Sequence, residues 1–281
     1  MQPAETVICV KLIEVVQTLP IPFYDGGMSL ESSLVLELGA LRDQGFVVVP
    51  QWVPQGDLTH LNEVARRQLE LRAEPVEFEA DLQYPGAPPS RTAAGGETVR
   101  RLLDAYARDP AFAAIAGSPR VRAWMHAYFG EQVMMSRAHH NCLMTKHPRY
   151  GSLTGWHRDV RYWSFERDDL VSMWIALGRE EVANGALWFV PGSHDLDLDS
   201  PQFDTEKFFR ADEPGNAHII KAAVSPLLAP GDAVFFHAKT LHSAGTNETA
   251  EVKFSLVYTY HAEGNGPLAG SRSASKAELS L

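Results

Sequence analysis

Apolar residues recur at helical spacing through the first half of the chain and at strand spacing through the second. Leu34, Leu38 and Leu41 share one side of a helix predicted over 30–41, which Gly45 ends. Residues 45–50, Gly-Phe-Val-Val-Val-Pro, form an apolar run bounded by turn formers, the pattern of a short buried strand. Leu58, Leu61, Ala65 and Leu69 line a second helix over 58–71, with Asp57 at its N-cap. Residues 74–98 break the pattern with Tyr84-Pro85-Gly86-Ala87-Pro88-Pro89 and Ala93-Ala94-Gly95-Gly96. A loop of this length is either functional or a surface insertion, so a lid over a pocket and a plain insertion both stand. Helical patterning resumes over 98–108, 109–116 and 118–129, where Ser118-Pro119 opens the last helix and Gly130 closes it.

Beyond Gly130 the period shortens to two. Strands are predicted over 132–146, 170–177, 186–190, 224–228, 233–236 and 252–261. Helices first and many short strands later predict a mainly β fold with flanking helices: a double-stranded β-helix (jelly roll) core buttressed by N-terminal α-helices. The chain reads as one domain over 1–281, with helical support over 1–130, the core over 131–263 and a loosely packed C-terminal segment over 264–281. Residues 1–28 read as an extended leader.

Composition narrows the partners. The net charge of −10 argues against nucleic acid and against anionic membrane surfaces. No stretch reaches membrane-spanning length, and Met1 to Pro20 lacks the basic start and apolar core of a signal peptide. Cys9 and Cys142 make neither a disulfide framework nor a metal-type pair, which suits a reducing compartment, the cytoplasm.

The chemistry concentrates at Trp156-His157-Arg158-Asp159. On an extended chain, residues two apart project to the same side, so His157 and Asp159 point together. A distant histidine, His242, could complete a face of two imidazoles and one carboxylate, the ligand set of non-haem Fe(II) oxygenases. The plain alternative for His157 is a hydrogen-bonded histidine near a loop, and His261-Ala262-Glu263 is a rival motif. Farther on, alternation over 252–261 puts Lys253, Ser255, Val257 and Thr259 on one face and Val252, Phe254, Leu256 and Tyr258 on the other. A cation beside a hydroxyl is a natural grip for a carboxylate, and a solvated strand lysine is the alternative.

Three blocks, in order, resemble the phytanoyl-CoA dioxygenase family of Fe(II)/2-oxoglutarate oxygenases. They are residues 156–165 (Trp-His-Arg-Asp-Val-Arg-Tyr-Trp-Ser-Phe), 184–194 (Asn-Gly-Ala-Leu-Trp-Phe-Val-Pro-Gly-Ser-His) and 231–237 (Gly-Asp-Ala-Val-Phe-Phe-His), the last leading to His242. The resemblance implies Fe(II) held by His157, Asp159 and His242, with 2-oxoglutarate and O₂ as co-substrates and a small molecule as substrate. It places Lys253 where the family has an arginine for the far carboxylate of 2-oxoglutarate, with Ser255 assisting; lysine keeps the charge and loses the bidentate fork. Trp174 and Cys142 fall near family positions that line the co-substrate site, and core packing is their alternative. Arg158 stands where glutamine is common; with Arg161 and Tyr162 it is a candidate for substrate contact. Retention of Asp159 favours hydroxylation over halogenation, which in related enzymes goes with loss of that carboxylate. His194 reads as a turn residue, His237 as structural, and His139-His140 stays open. Family substrates range from acyl-CoA thioesters to small acids and secondary metabolites, and Arg91, Arg100, Arg101, Arg158 and Arg161 could gather at the pocket. A cupin-like metal enzyme is disfavoured by the absence of a His-x-His pair, and a catalytically degenerate binding barrel is the other alternative.

Overall fold

The computed structural model describes residues 30–281; the expected leader and Cys9 lie outside the described residues. The N-terminal half supplies helices α1 (Leu30–Gln44) and α2 (Gln55–Glu70), separated by strand β1 (Phe46–Val49). Then come β2 (Val76–Phe78), α3 (Glu79–Leu82), β3 (Val99–Leu103), α4 (Ala105–Arg108), α5 (Pro110–Ala116) and α6 (Pro119–Phe129). The strands that follow are β4 (Val133–Lys146), β5 (Thr154–His157), β6 (Leu170–Ala176), β7 (Leu187–Phe189), β8 (Ala233–His237), β9 (His242–Ala244), β10 (Lys253–Ala262) and β11 (Leu279–Ser280).

The described residues form a large sheet in the order β1-β8-β6-β10-β4-β3-β2, with β11 also on β4, and a small sheet β5-β9-β7. Trp174, Val234, Phe236 and Val257 from the large sheet share one buried cluster with Leu187, Phe189 and Ala244 from the small one, so the sheets pack face to face. This is the expected jelly roll. On its other face, β10 presents Phe254, Leu256, Tyr258 and Tyr260 to a second cluster shared with the helices. The hydroxyls of Tyr258 and Tyr260 donate to the carbonyls of Phe112 and Ala116, at 2.9 Å each, which ties α5 to the sheet. The alternation expected for 252–261 therefore separates the two cores of the molecule.

Several expectations need correction. Helix α2 begins at Gln55 with Pro54 at its N-cap, and Asp57 lies in the first turn, where its charge favours the helix dipole. Residues 99–103 are a strand rather than the start of a helix. Pairing with β4 buries Val99 and Leu102 and gives Arg100 and Arg101 interior carboxylate partners, which a surface helix could not supply. Residues 74–98 are not an unstructured loop: they carry β2 and α3, and the Glu79 side chain is wholly buried. Residues 224–228 make only single bridges, Val224 to Phe189 and Leu228 to Glu180, instead of a strand. The C-terminal segment is tied down. Strand β11 pairs with β4, the Leu281 amide donates to Val133, and Ser273 is buried.

Candidate metal centre and co-substrate pocket

Strands β5 and β9 run antiparallel with His157 directly opposite His242, and their rings approach to 4.2 Å between centroids. Strand β5 stops at His157. Arg158 nevertheless keeps extended backbone (φ −108°, ψ 140°), so Asp159 still points to the same side before a 3₁₀ turn begins. The i, i+2 reading thus survives one residue beyond the strand.

Each imidazole is fixed by a backbone carbonyl. His157 Nδ1 donates to Gly155 O (2.8 Å) and His242 Nδ1 to Thr240 O (2.9 Å). That choice of tautomer leaves both Nε2 lone pairs directed inward. They lie 3.8 and 3.6 Å from the same oxygen, Asp159 Oδ1. The other oxygen, Oδ2, accepts from Ser172 Oγ (3.4 Å) and faces His140 Nδ1 (3.5 Å). One carboxylate oxygen is therefore held from behind while the other faces the two imidazoles. All three side chains are buried, their ligand atoms lie within 4.8 Å of one another, and burial holds the His157 pKa well below the usual histidine range. Neutral nitrogen and carboxylate donors with one open side fit a ferrous ion.

Phe236 and Phe189 flank His242, at 5.1 and 6.1 Å between centroids. From the triad a cavity of about 450 Å³ runs past Leu187 and Trp174 to Lys253 and Lys146. Lys253 lines its inner end, and Ser255 lies beside it on the same face of β10, 3.3 Å away, as the alternation requires. Their grip is filled by the chain itself. Glu180 accepts from Lys253 Nζ (2.9 Å), Ser255 Oγ (2.6 Å) and Trp174 Nε1 (3.0 Å), and no part of its side chain is exposed. Trp174 is thus both a wall residue and a donor to that carboxylate. Cys142 lines the same cavity, 3.6 Å from Met144 Sδ, with burial pushing its thiol up to about 11.

The substrate candidates separate. Arg158 turns away and binds the carbonyls of Ser193 (2.6 Å) and Leu196 (2.8 Å), which corrects its expected place in the pocket. Arg161 faces the cavity, donates to Tyr84 Oη (3.0 Å) and stacks over Phe208 at 4.1 Å; its second terminal nitrogen has no hydrogen-bond partner among the described residues. Tyr162 stands at the rim and donates to Glu206 O (2.9 Å). Of the gathered arginines, Arg100 and Arg101 line the cavity and are paired with Glu79 and Glu77, whereas Arg91 pairs with Asp81.

The remaining histidines find structural roles. His194 binds Arg42 O, and His237 accepts from the Lys239 amide. His261 is buried against Glu278, and Glu263 is exposed, so the rival motif makes no site. His139 meets Ser273 Oγ at 2.7 Å, and His140 backs Asp159. Glu180, Lys146 and Tyr84 were not foreseen from the sequence. A Glu-Glu pair just after a buried strand was the visible trace of the first.

The phytanoyl-CoA dioxygenase family profile matches residues 41–255. The chain belongs to that family. It is 25% identical over 221 residues to human peroxisomal phytanoyl-CoA dioxygenase, covering 74% of this chain and 62% of that one. A probable alpha-ketoglutarate-dependent hypophosphite dioxygenase of Stutzerimonas stutzeri is 26% identical over 185 residues, 62% of either chain. The chain thus spans under two thirds of these relatives' length. Among solved structures, the epimerase SnoN in complex with Fe3+, alpha ketoglutarate and nogalamycin RO is 25% identical with a TM-score of 0.68, covering 84% of this chain and 86% of that one. EctD from S. alaskensis with 2-oxoglutarate and 5-hydroxyectoine shares the fold at 21% identity and a TM-score of 0.69, over 87% of this chain and 80% of that one. Among the described residues, no helix is long and apolar enough to cross a membrane.

Proposed function

We propose that this protein is an Fe(II)- and 2-oxoglutarate-dependent dioxygenase that hydroxylates an unactivated C–H bond of a small molecule. The observation that carries this reading is the converging Nε2, Nε2 and Oδ1 face of His157, His242 and Asp159, with each ligand held from behind. When bound there, ferrous iron supplies an open face on which O₂ is reduced at the expense of 2-oxoglutarate, giving succinate, CO₂ and a hydroxylated product.

The chain's own residues do the positioning. Leu187, Trp174 and Phe236, backed by Phe189, give the inner cavity an apolar wall that keeps water out, and a buried cation at its end orients the co-substrate. Arg161, which lines the cavity, is the candidate to take an anionic group of the substrate, with Tyr162 beside it at the rim. An acid, a phosphorylated metabolite or an acyl-CoA thioester has such a group. The relatives named for phytanoyl-CoA and hypophosphite make that range chemically reasonable. Neither nucleic acid nor a membrane surface fits a chain of this charge, and a reducing compartment, the cytoplasm, suits a site that must keep iron ferrous.

One observation favours a second reading. Glu180 fills the Lys253–Ser255 grip, as it would in a barrel that keeps the fold without the chemistry. Succinate formation separates the two. The oxygenase converts 2-oxoglutarate to succinate in the presence of Fe(II), O₂ and ascorbate, and His242→Ala abolishes it. A wild-type protein that binds iron yet yields no succinate with any small acid or acyl-CoA supports the degenerate barrel.

A further inference from the structure

Two lysines reach the inner end of the cavity from neighbouring strands. Lys146 on β4 sits directly opposite Lys253 on β10, both are buried, and both line the same space. Their surroundings differ. Lys253 is paired with Glu180, whose oxygens also receive Ser255 and Trp174, and it donates to Ser255 Oγ as well, so its charge is matched and one of its three protons is left over. Lys146 Nζ donates to one neutral acceptor, Ser152 O (2.7 Å), and no carboxylate among the described residues lies within ion-pair distance of it. Arg100, beside it, is already paired with Glu79 and bonded to Ser152 and Thr154. Arg101 is forked onto Glu77. Among the described residues, Lys146 is therefore the cation at this end of the cavity with no carboxylate at ion-pair distance, and two of its three protons are left over.

The fold makes room for it. Gly185 has a left-handed φ of +77°, and a Cβ there would stand 3.0 Å from Lys146 Cγ and 2.7 Å from Gly245 O. The bare backbone at 185 lets the lysine stem pass.

A carboxylate entering at Lys253 meets the buried Glu180 carboxylate already held there, and must either bear that like charge at close range or take away the cation that matches it. A carboxylate entering at Lys146 instead meets a cation with no carboxylate at ion-pair distance and pairs with it directly. We propose that Lys146, rather than Lys253, receives the far carboxylate of 2-oxoglutarate, and that Glu180 makes this division by holding Lys253 in an internal ion pair. The proposal rests on the oxygenase reading above. Burial, with Arg100 and Lys253 nearby, lowers the pKa of Lys146 to about 7, so an arriving carboxylate also favours the charged form that binds it.

The test is an anaerobic titration of the Fe(II)-loaded protein with 2-oxoglutarate, followed by the visible charge-transfer band of the chelate. Two variants are compared with wild type: Lys146→Met, and Lys253→Met combined with Glu180→Leu, which removes the ion pair without leaving a charge behind. Circular dichroism and iron content confirm that each is folded and loaded. Lys146→Met is expected to weaken 2-oxoglutarate by about thirtyfold or more, as truncating one partner of a buried charge pair does. The double variant is expected to stay near wild type. 2-Oxopentanoate, which lacks the far carboxylate, should bind wild type and Lys146→Met alike, a result that a merely structural role would not give. Unchanged affinity in Lys146→Met, or equal loss in both variants, overturns the assignment. A wild-type protein that holds iron and shows no band contradicts the oxygenase reading instead.

Discussion

At the triad, two backbone carbonyls do the work that pre-organises the metal face. Gly155 O and Thr240 O each take the Nδ1 proton of a ligand imidazole, and Ser172 takes one oxygen of the ligand carboxylate. Ligands held in this way lose little freedom when a metal arrives. The lysine wall has a different sensitivity. Lys146 is turned toward neutrality by burial, by Arg100 from β3 and by Lys253 from β10, against Glu79 from α3, which favours its charge. Its pKa lies at about 7, so it is charged below that pH and neutral above it. Because carboxylate binding needs the charged form, 2-oxoglutarate affinity is expected to be flat below pH 7 and to fall by up to about tenfold per unit above it. Lys146→Arg, whose guanidinium stays charged, should flatten the profile. A wild-type profile with no decline up to pH 9 contradicts the assignment. The pairing of His157 with Asp159 was legible because two residues apart on an extended chain share a side, whereas no local spacing ties His242 to them. Glu180 was not, because its place beside β10 is set by the turn after β6 and no spacing encodes it.

At the scale of elements, α1 and β1 brace the loop that carries a metal ligand. Gly45 ends α1, and its carbonyl accepts from Thr240 Oγ1 (2.7 Å) and from the His237 amide (2.9 Å). Thr240 in turn orients His242. Gly45 has a left-handed φ of +79°, and a Cβ there would meet His194 Nδ1 and Thr240 Oγ1 at 2.6 Å. Gly45→Ala is therefore expected to lower unfolding stability by about 1–3 kcal/mol and to weaken iron binding with it. Urea unfolding and iron titration measure the two together, and a stable variant with normal iron affinity would argue against the brace. The strands of the core were legible from period-two alternation, and Tyr258 and Tyr260 fall on the helix-facing side as read. The segment Val99–Leu103 was not. Val-Arg-Arg-Leu-Leu satisfies helical spacing by itself, and only its pairing with β4 decides for a strand. Both arginines then point where carboxylates wait, a fact of tertiary structure rather than of local propensity.

Across the whole molecule, an acidic chain keeps a cationic interior. The net charge is −10, yet Arg100, Arg101, Arg161, Lys146 and Lys253 all face one cavity that ends at the metal ligands. Arg100, Arg101 and Lys253 are matched by Glu79, Glu77 and Glu180, so Arg161 and Lys146 are the two of these left to attract a small anion. The helical layer covers the large sheet's far face, and β11 and the end of the C-terminal segment are tied to β4. The jelly roll could be expected from helices followed by short strands. The docking of residues 264–281 could not, since small polar residues carry no periodic signal while their hydrogen bonds, such as Ser273 to His139 and Asn265 to the Arg167 amide, are long-range.

The central claim is that His157, Asp159 and His242 present a ferrous ion to 2-oxoglutarate. An anaerobic titration of purified wild-type protein with Fe(II) and then 2-oxoglutarate tests it before any substrate is known. One iron per chain, a visible charge-transfer band that saturates with 2-oxoglutarate, and loss of both in His157→Ala and His242→Ala are the expected result. Iron bound without a band, or a band that persists in both histidine variants, would contradict it.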